Sequence, residues 1–354
     1  MKNKLKQLAP IPFNIFENHI FDEMIVFGTS QRGLNCQQTL SKSGFKILFF
    51  ADNSSKRQGN IINGISVKAP EQLNHLINVP VIICSWAEKF IFKQLKDLGF
   101  TKIFTDGIGD STSTTDIKTD EIEKVFQLIN DKNSCDLYKA IINYILYKSK
   151  ITYYSKYYIY NHPLCKAEPG DVIIDGGAAQ GDTAIFFSKQ CQENCNIFAF
   201  EPTPSSFDAM IQTINKLQLS NITPICAALW NKNEKVSFWE SPLTSHANTI
   251  NSHGELKVDA VCLDDFIIDH NINQIDLIKM DIEGAELKAL YGAAQTIKKF
   301  KPKLQICLYH KIEDLWQIPI FIKDLVPEYE IYIGHHSCCR LDTVMYCVYN
   351  HCNN

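Results

Sequence analysis

Apolar runs and amphipathic stretches alternate along the chain in two series that open alike. Met24-Ile25-Val26-Phe27 is a continuous apolar run, the pattern of a strand buried on both faces. Gly28-Thr29-Ser30-Gln31-Arg32-Gly33 follows, then an amphipathic stretch and a second apolar run, Phe45 to Phe50, which closes at Asp52. The order recurs from Val172-Ile173-Ile174-Asp175. Gly176, Gly177, Ala179 and Gly181 make the turn, a helical pattern follows, and Asn196 to Phe200 runs into Glu201. Strand, glycine turn, helix, strand and terminal acid form the opening βαβ of a nucleotide-binding α/β fold. The chain is thus predicted to hold two Rossmann-like units.

Val79 to Cys84 reads as a further buried strand, Trp86 to Leu98 has helical spacing, and Lys102 to Phe104 begins another strand. The polar, small-residue segment Gly107 to Thr119 marks a boundary. This organisation predicts a nucleotide- or sugar-nucleotide-binding domain over 1–110, a helical linker over 111–150 and a larger domain over 151–354. The tyrosine-rich stretch Ile151 to Tyr160 is either a packing surface or a lid over the second site. Beyond Glu201, helices at Ser205–Leu217 and Asp314–Asp324 alternate with strands at Ile222–Ala227, Ile275–Asp281 and Lys303–Tyr309. Lys235–Trp239 reads as an antiparallel excursion, and Glu283–Lys298 as one helix. The chain closes on two strands, Tyr329–Ile333 and Thr343–Val348, with no helix between them. That ending fits the seven-stranded sheet of a class I methyltransferase better than a dehydrogenase.

Composition narrows the classes. The 354 residues are 45% hydrophobic and 21% charged, ordinary for a globular chain of two domains. No apolar run approaches the roughly 20 residues that span a bilayer. The formal net charge of −4 leaves no basic footprint for nucleic acid. The first residues lack a continuous apolar segment and cleavage site, so no secretion signal is read. Thirteen scattered cysteines, an odd number, fit a reducing cytoplasm better than a disulfide framework. Cys338 and Cys339 follow His335 and His336, but zinc sites want two spaced ligand pairs and no second pair lies near. No metal is assigned.

In the second unit, Gly177, Ala179 and Gly181 let backbone approach a ligand closely, and the helix behind them offers free N–H groups. Glu201 stands where an acid accepts the hydroxyls of a ribose. Asp175 decides between cofactors. A carboxylate there opposes a pyrophosphate but suits the cationic amino-acid end of S-adenosylmethionine.

These residues carry a resemblance. VIIDGGAAQGDTA (172–184), FAFEP (198–202), VDAVCLDDFI (258–267), IDLIKMDIEGAELKALYGA (275–293) and LYHKIEDLWQIP (308–319) look like the FkbM family of S-adenosylmethionine-dependent methyltransferases. IYIGHHS and DTVMYCV (331–348) resemble that family's end. One departure is Ala179, where many members carry a polar residue. The resemblance implies a class I methyltransferase fold and, most often, transfer to a hydroxyl oxygen. It adds Asp259 to the cofactor-binding set of Asp175, Gly177, Ala179, Gly181 and Glu201.

Lys279, Asp281, Glu283 and Glu286 gather at a strand end and a helix start, where ligands of open α/β sheets bind. Asp281 is expected to orient an acceptor hydroxyl or to hold a divalent cation with Glu283, while Glu283 and Glu286 also suit a helix's first turn. His310 follows another strand end and is the expected base, since histidine titrates near neutrality. Lys279, His246, His335 and His336 are candidate substrate-binding residues. In the first unit Gly28, Ser30, Gly33 and Asp52 have the spacing of a nucleotide site, with Ser in place of the middle glycine. IVFGTSQRG, FFADNSSKRQG and INGISVKAP resemble the small domain preceding sugar acyltransferases, which implies capture of a nucleotide-linked sugar.

The preferred reading is an S-adenosylmethionine-dependent O-methyltransferase acting on a sugar or glycan hydroxyl in surface-glycan synthesis. An NAD-linked sugar oxidoreductase using the first unit, and a non-catalytic nucleotide sensor, stay open. So does assembly into homo-oligomers.

Overall fold

The computed structural model describes residues 22–42, 44–85, 88–105, 118–147, 151, 154–239, 249–250, 256–337 and 341–349. They fall into two compact units, one of residues 22–105 with 140–147, 151 and 337, the other of 118–139, 154–336 and 341–349. Part of the expected linker therefore belongs to the second unit. Tyr138 is fully buried there, and its hydroxyl donates to the Leu315 carbonyl at 3.0 Å. His246, Cys338 and Cys339 lie outside the described residues.

The first unit has six strands: β1 (Glu23–Phe27), β2 (Lys46–Ala51), β3 (Ile61–Ile62), β4 (Ile65–Lys68), β5 (Val81–Ile83) and β6 (Ile103–Thr105). Their order is β3-β4-β2-β1-β5-β6, parallel except for the β3–β4 pair. Cys36 and Leu40 of helix Gln31–Lys42 join one core, while Ile91 and Leu95 of helix Glu88–Asp97 join another. Strands β3 and β4 were not expected from the sequence. Asn63-Gly64 joins them with φ of 52° and 78°, the paired positive values a tight hairpin requires.

The second unit holds β7 (Val172–Gly176), β8 (Asn196–Phe200), β9 (Ile222–Ile225), β10 (Ala228–Trp230), β11 (Glu234–Trp239), β12 (Thr249–Ile250), β13 (Leu256–Cys262), β14 (Leu277–Met280), β15 (Lys303–Cys307), β16 (Tyr329–His335) and β17 (Thr343–Tyr349). Seven of these form a sheet of order β16-β17-β15-β14-β7-β8-β9, in which β17 is antiparallel to both neighbours. Phe187, Met210 and Ile214, from helices Asp182–Gln190 and Pro204–Leu217, pack in a core with Ile173 of β7 and Ile197 of β8. The remaining strands form a second sheet, β10-β13-β11-β12, so the expected antiparallel excursion at β11 is one member of a four-stranded layer. The strand order reverses between β7 and β14. In open α/β sheets the ligand crevice lies at such a switch point, outside the carboxyl ends of the strands.

The expected single helix over 283–298 is two, Glu286–Tyr291 and Ala294–Phe300. Glu283 and Gly284 precede them in a left-handed turn, with φ of 54° and 90°. Glu283 thus lies outside any helix, which removes a helix-starting role for it. Among the described residues no helix is long and apolar enough to cross a membrane.

Candidate active site

A cavity of about 220 Å³ opens at the switch point. Gly177 and Ala179 line it from the β7 turn, Glu201 from the end of β8, Asp281 and Glu283 from the end of β14, and Phe238 from β11. The turn is closely packed. Gly177 has φ of 74°, and a Cβ on it would stand 1.9 Å from the Asp281 carbonyl oxygen. Gly177→Ala is expected to force the two strand ends apart, at a cost of roughly 1–3 kcal/mol. Thermal unfolding checks this, and an unchanged Tm would show that the turn yields freely.

Glu201 is fixed by its neighbours. One carboxylate oxygen accepts the Ala179 N–H at 2.9 Å, the other the Thr203 N–H at 2.8 Å. Each oxygen keeps a second lone pair, so the side chain can still take ribose hydroxyls from the cavity. Ala179 itself has φ of 47° and contributes backbone. Gly181, with φ of 93°, caps the helix Asp182–Gln190.

Asp175 does not line this cavity. It is completely buried and pairs with the equally buried Lys279, Nζ to Oδ1 at 2.9 Å. The Thr183 hydroxyl donates to its other oxygen at 2.5 Å. The expectation that Asp175 meets the cationic end of a cofactor directly is corrected: its charge is already matched. Lys279 does line the cavity, but its ammonium is already engaged. Its ammonium donates to the Gly176 and Gly177 carbonyls at 3.0 and 2.9 Å and pairs with Asp175, which uses all three protons. Burial opposes the charge, but Asp175 and Asp281 more than offset it and raise the lysine's pKa.

Both oxygens of Asp281 are held by tyrosines, Oδ2 by the Tyr160 hydroxyl at 2.8 Å and Oδ1 by the Tyr309 hydroxyl at 2.7 Å. Burial pushes this carboxyl up, yet Lys279, His310 and the two hydroxyls outweigh it and lower its pKa. Asp281 is an ionised acceptor. Tyr160, in the left-handed region at φ of 65°, comes from the tyrosine-rich segment read as packing or lid. Neither tyrosine was named as a site residue.

His310 meets three carboxylates. Its Nδ1 lies 2.8 Å from Glu286, and its Nε2 lies 3.5 Å from Asp281 and 3.4 Å from Glu283. Burial opposes the imidazolium, but these acids carry its pKa to about 10. A histidine held as an imidazolium by these acids has no free lone pair for a proton, which weighs against it as the base. Glu283 suits that task better. Burial first, then Asp281, Glu286 and Glu201, raise it against the opposing His310, to about 7. Ligand atoms of Asp281, Glu286 and His310 come within 4.8 Å of one another. Glu286 approaches Nδ1 of the ring and Asp281 approaches Nε2. The arrangement is that of a caged imidazolium.

Three other expectations are corrected. Asp259 sits on β13 between buried Val258 and Ala260, so strand alternation turns it outward. It is ion-paired with Lys235 at 2.8 Å and does not line the cavity. His335 and His336 are buried at the end of β16, the edge strand three places from β14. His335 Nδ1 lies 2.9 Å from the Thr343 hydroxyl, and His336 Nε2 lies 3.1 Å from the Tyr346 hydroxyl.

In the first unit the glycine turn is closely packed. Gly28 has φ of 109°, and a Cβ on Gly33 would stand 2.0 Å from the Gly28 oxygen. Ser30 is half-buried just before helix Gln31–Lys42. Asp52 serves the turn itself. One oxygen accepts the Thr29 N–H and hydroxyl at 3.0 and 2.5 Å, the other accepts the Ser54 N–H at 2.9 Å, and Arg57 lies 3.5 Å away.

The second unit has the sheet order and strand-end carboxylates of a class I methyltransferase fold. Residues 175–334 match the methyltransferase FkbM domain. The chain is similar to the hexuronic acid methyltransferase AglP of Haloferax volcanii, 25% identical over 134 residues, or 38% of this chain. That match spans 54% of the relative, about half its length. It is also similar to the 2-O-methyltransferase NoeI of Sinorhizobium fredii, 25% identical over 186 residues, covering 46% of this chain and 74% of that one. The crystal structure of methyltransferase FkbM from Methylobacillus flagellatus shares the fold, with a TM-score of 0.62 and 18% identity over 98% of this chain and 97% of that one.

Proposed function

We propose that the chain is an S-adenosylmethionine-dependent O-methyltransferase whose acceptor is a sugar hydroxyl. The observation that carries it is the convergence on one cavity of Glu201, a ribose acceptor, with Asp281 and Glu283 at the neighbouring strand end. The residues fit the cofactor: the cradle at Gly177 leaves no room for a side chain, and Glu201 presents free lone pairs. When bound, S-adenosylmethionine supplies an activated methyl group on sulfur.

The protein's part is to align and to take a proton. An acceptor oxygen must stand in line with the carbon–sulfur bond that breaks, and such alignment is a large share of the rate. Asp281, ionised and held at both oxygens, accepts a hydrogen bond from the acceptor and orients it. Glu283 takes the hydroxyl proton as the new oxygen–carbon bond forms. The two curated relatives, one acting on a hexuronic acid and one a 2-O-methyltransferase, support a sugar acceptor. We further propose that the acceptor is a glycan precursor, nucleotide-linked or free. The odd number of cysteines, thirteen scattered along the chain, supports a cytoplasmic location.

Calorimetric titration with S-adenosylhomocysteine tests the reading. Binding is expected in the full chain and its loss in Glu201→Ala. Binding of NAD with no binding of S-adenosylhomocysteine would overturn it.

A further inference from the structure

Glu286 is the acid of the strand-end cluster that never reaches the cavity. It is completely buried at the head of helix Glu286–Tyr291. One of its oxygens accepts the Ile282 N–H at 2.8 Å and lies 2.8 Å from His310 Nδ1. We propose that Glu286 is a positioning residue: from behind the cavity it holds His310 as an imidazolium, whose other nitrogen holds the carboxylates of Asp281 and Glu283 in the cavity wall.

The geometry separates Glu286 from the other two acids. Its contact with the ring is the shortest of the three, 2.8 Å against 3.5 and 3.4 Å. It is also the only one of them with no exposed side-chain surface. A buried carboxylate without a counter-charge is strongly destabilising, so Glu286 and the imidazolium require each other. Glu286 lies on the Nδ1 side of the ring, and Asp281 and Glu283 lie on its Nε2 side.

The other titratable groups around the pair leave this assignment standing. Tyr309 packs its ring on the imidazole with centroids 4.2 Å apart, and its hydroxyl is committed to Asp281. Lys311 donates to the Gly284 carbonyl, and Lys279 is held by Asp175. Asp314, at the start of helix Asp314–Leu325, is raised to about 7, chiefly by burial and then by Glu286. Cys307, the last residue of β15 and next to the Tyr160 hydroxyl, stays a neutral thiol because burial raises it. Glu201 faces Glu283 from across the cavity and adds negative charge.

The catalytic consequence rests on the methyltransferase reading; the state of the ring does not. The test is therefore a titration of the ring by NMR in protein carrying ¹⁵N-labelled histidine, without cofactor. The His310 signal is assigned by its loss in His310→Gln. In the wild type it is expected to stay at the imidazolium position from pH 6 to 9. In Glu286→Gln, which keeps an acceptor for the Ile282 N–H, the midpoint is expected to fall by about one to three pH units, the effect of removing one close opposite charge. In Glu283→Gln the ring is expected to stay charged over the same range.

A wild-type ring that titrates near 6.5 would overturn the proposal, and this arm needs no variant at Glu286. Equal falls in Glu286→Gln and Glu283→Gln would also overturn it, since Glu286 would then have no special hold. Turnover adds a second readout. The alkaline limb of the kcat profile is expected to move to lower pH in Glu286→Gln, with the KM for S-adenosylmethionine unchanged. Failure of S-adenosylhomocysteine to bind would sink the methyltransferase reading while leaving the ring titration intact.

Discussion

Exchange of Glu283 for glutamine is expected to lower turnover by roughly 10²–10⁴-fold, the usual contribution of a positioned base, while S-adenosylhomocysteine still binds. Glutamine keeps the size of the side chain and removes only its ability to take a proton. The wild-type pH profile follows from the same group. Glu283 is held at about 7 by burial and surrounding acids. It acts only when ionised, so turnover is expected to rise with pH through about 7 and hold level until His310 loses its proton at alkaline pH. In Glu283→Gln this acid limb is expected to vanish. A variant that retains both the limb and its rate would assign the proton to another acceptor.

Lys279→Met is expected to destabilise the protein by about 3–5 kcal/mol, because it leaves Asp175 charged, buried and without its partner. At roughly 2–4 °C per kcal/mol for a unit of this size, the Tm falls on the order of 10 °C. Methionine fills the space of the lysine stem, so the loss reports charge more than packing. Adding Asp175→Asn is expected to recover part of it, since the two positions act as one unit. A Lys279→Met variant within about 1 kcal/mol of the wild type would mean that Asp175 finds other compensation.

What the sequence disclosed follows the range of the forces involved. The β7 turn, Glu201 and the alternation of the seven-stranded sheet were legible because strand burial, glycine turns and terminal acids are local patterns. So was the gathering of Asp281, Glu283 and Glu286, which share one turn of chain. The charge on His310 was not, because it depends on three carboxylates meeting one ring in space. Asp259 was misjudged because the outward parity of β13 is fixed by pairing with β11 in a sheet that was not foreseen. His335 and His336 do sit at a strand end, but sheet order, a tertiary property, places that end far from the switch point. Tyr160 reaches Asp281 across 121 residues of chain, beyond any periodicity.

That reach bears on how such a domain can be moved between proteins. The matched segment begins at residue 175, downstream of Tyr160. A junction cut at the match boundary would deliver the carboxylate of Asp281 with the Tyr309 donor but without Tyr160, leaving one oxygen of a half-buried acceptor without that donor. Recombination, in the laboratory or in evolution, transplants a working site only when the breakpoint falls upstream of the tyrosine. The inheritable module is longer than the stretch by which it is recognised.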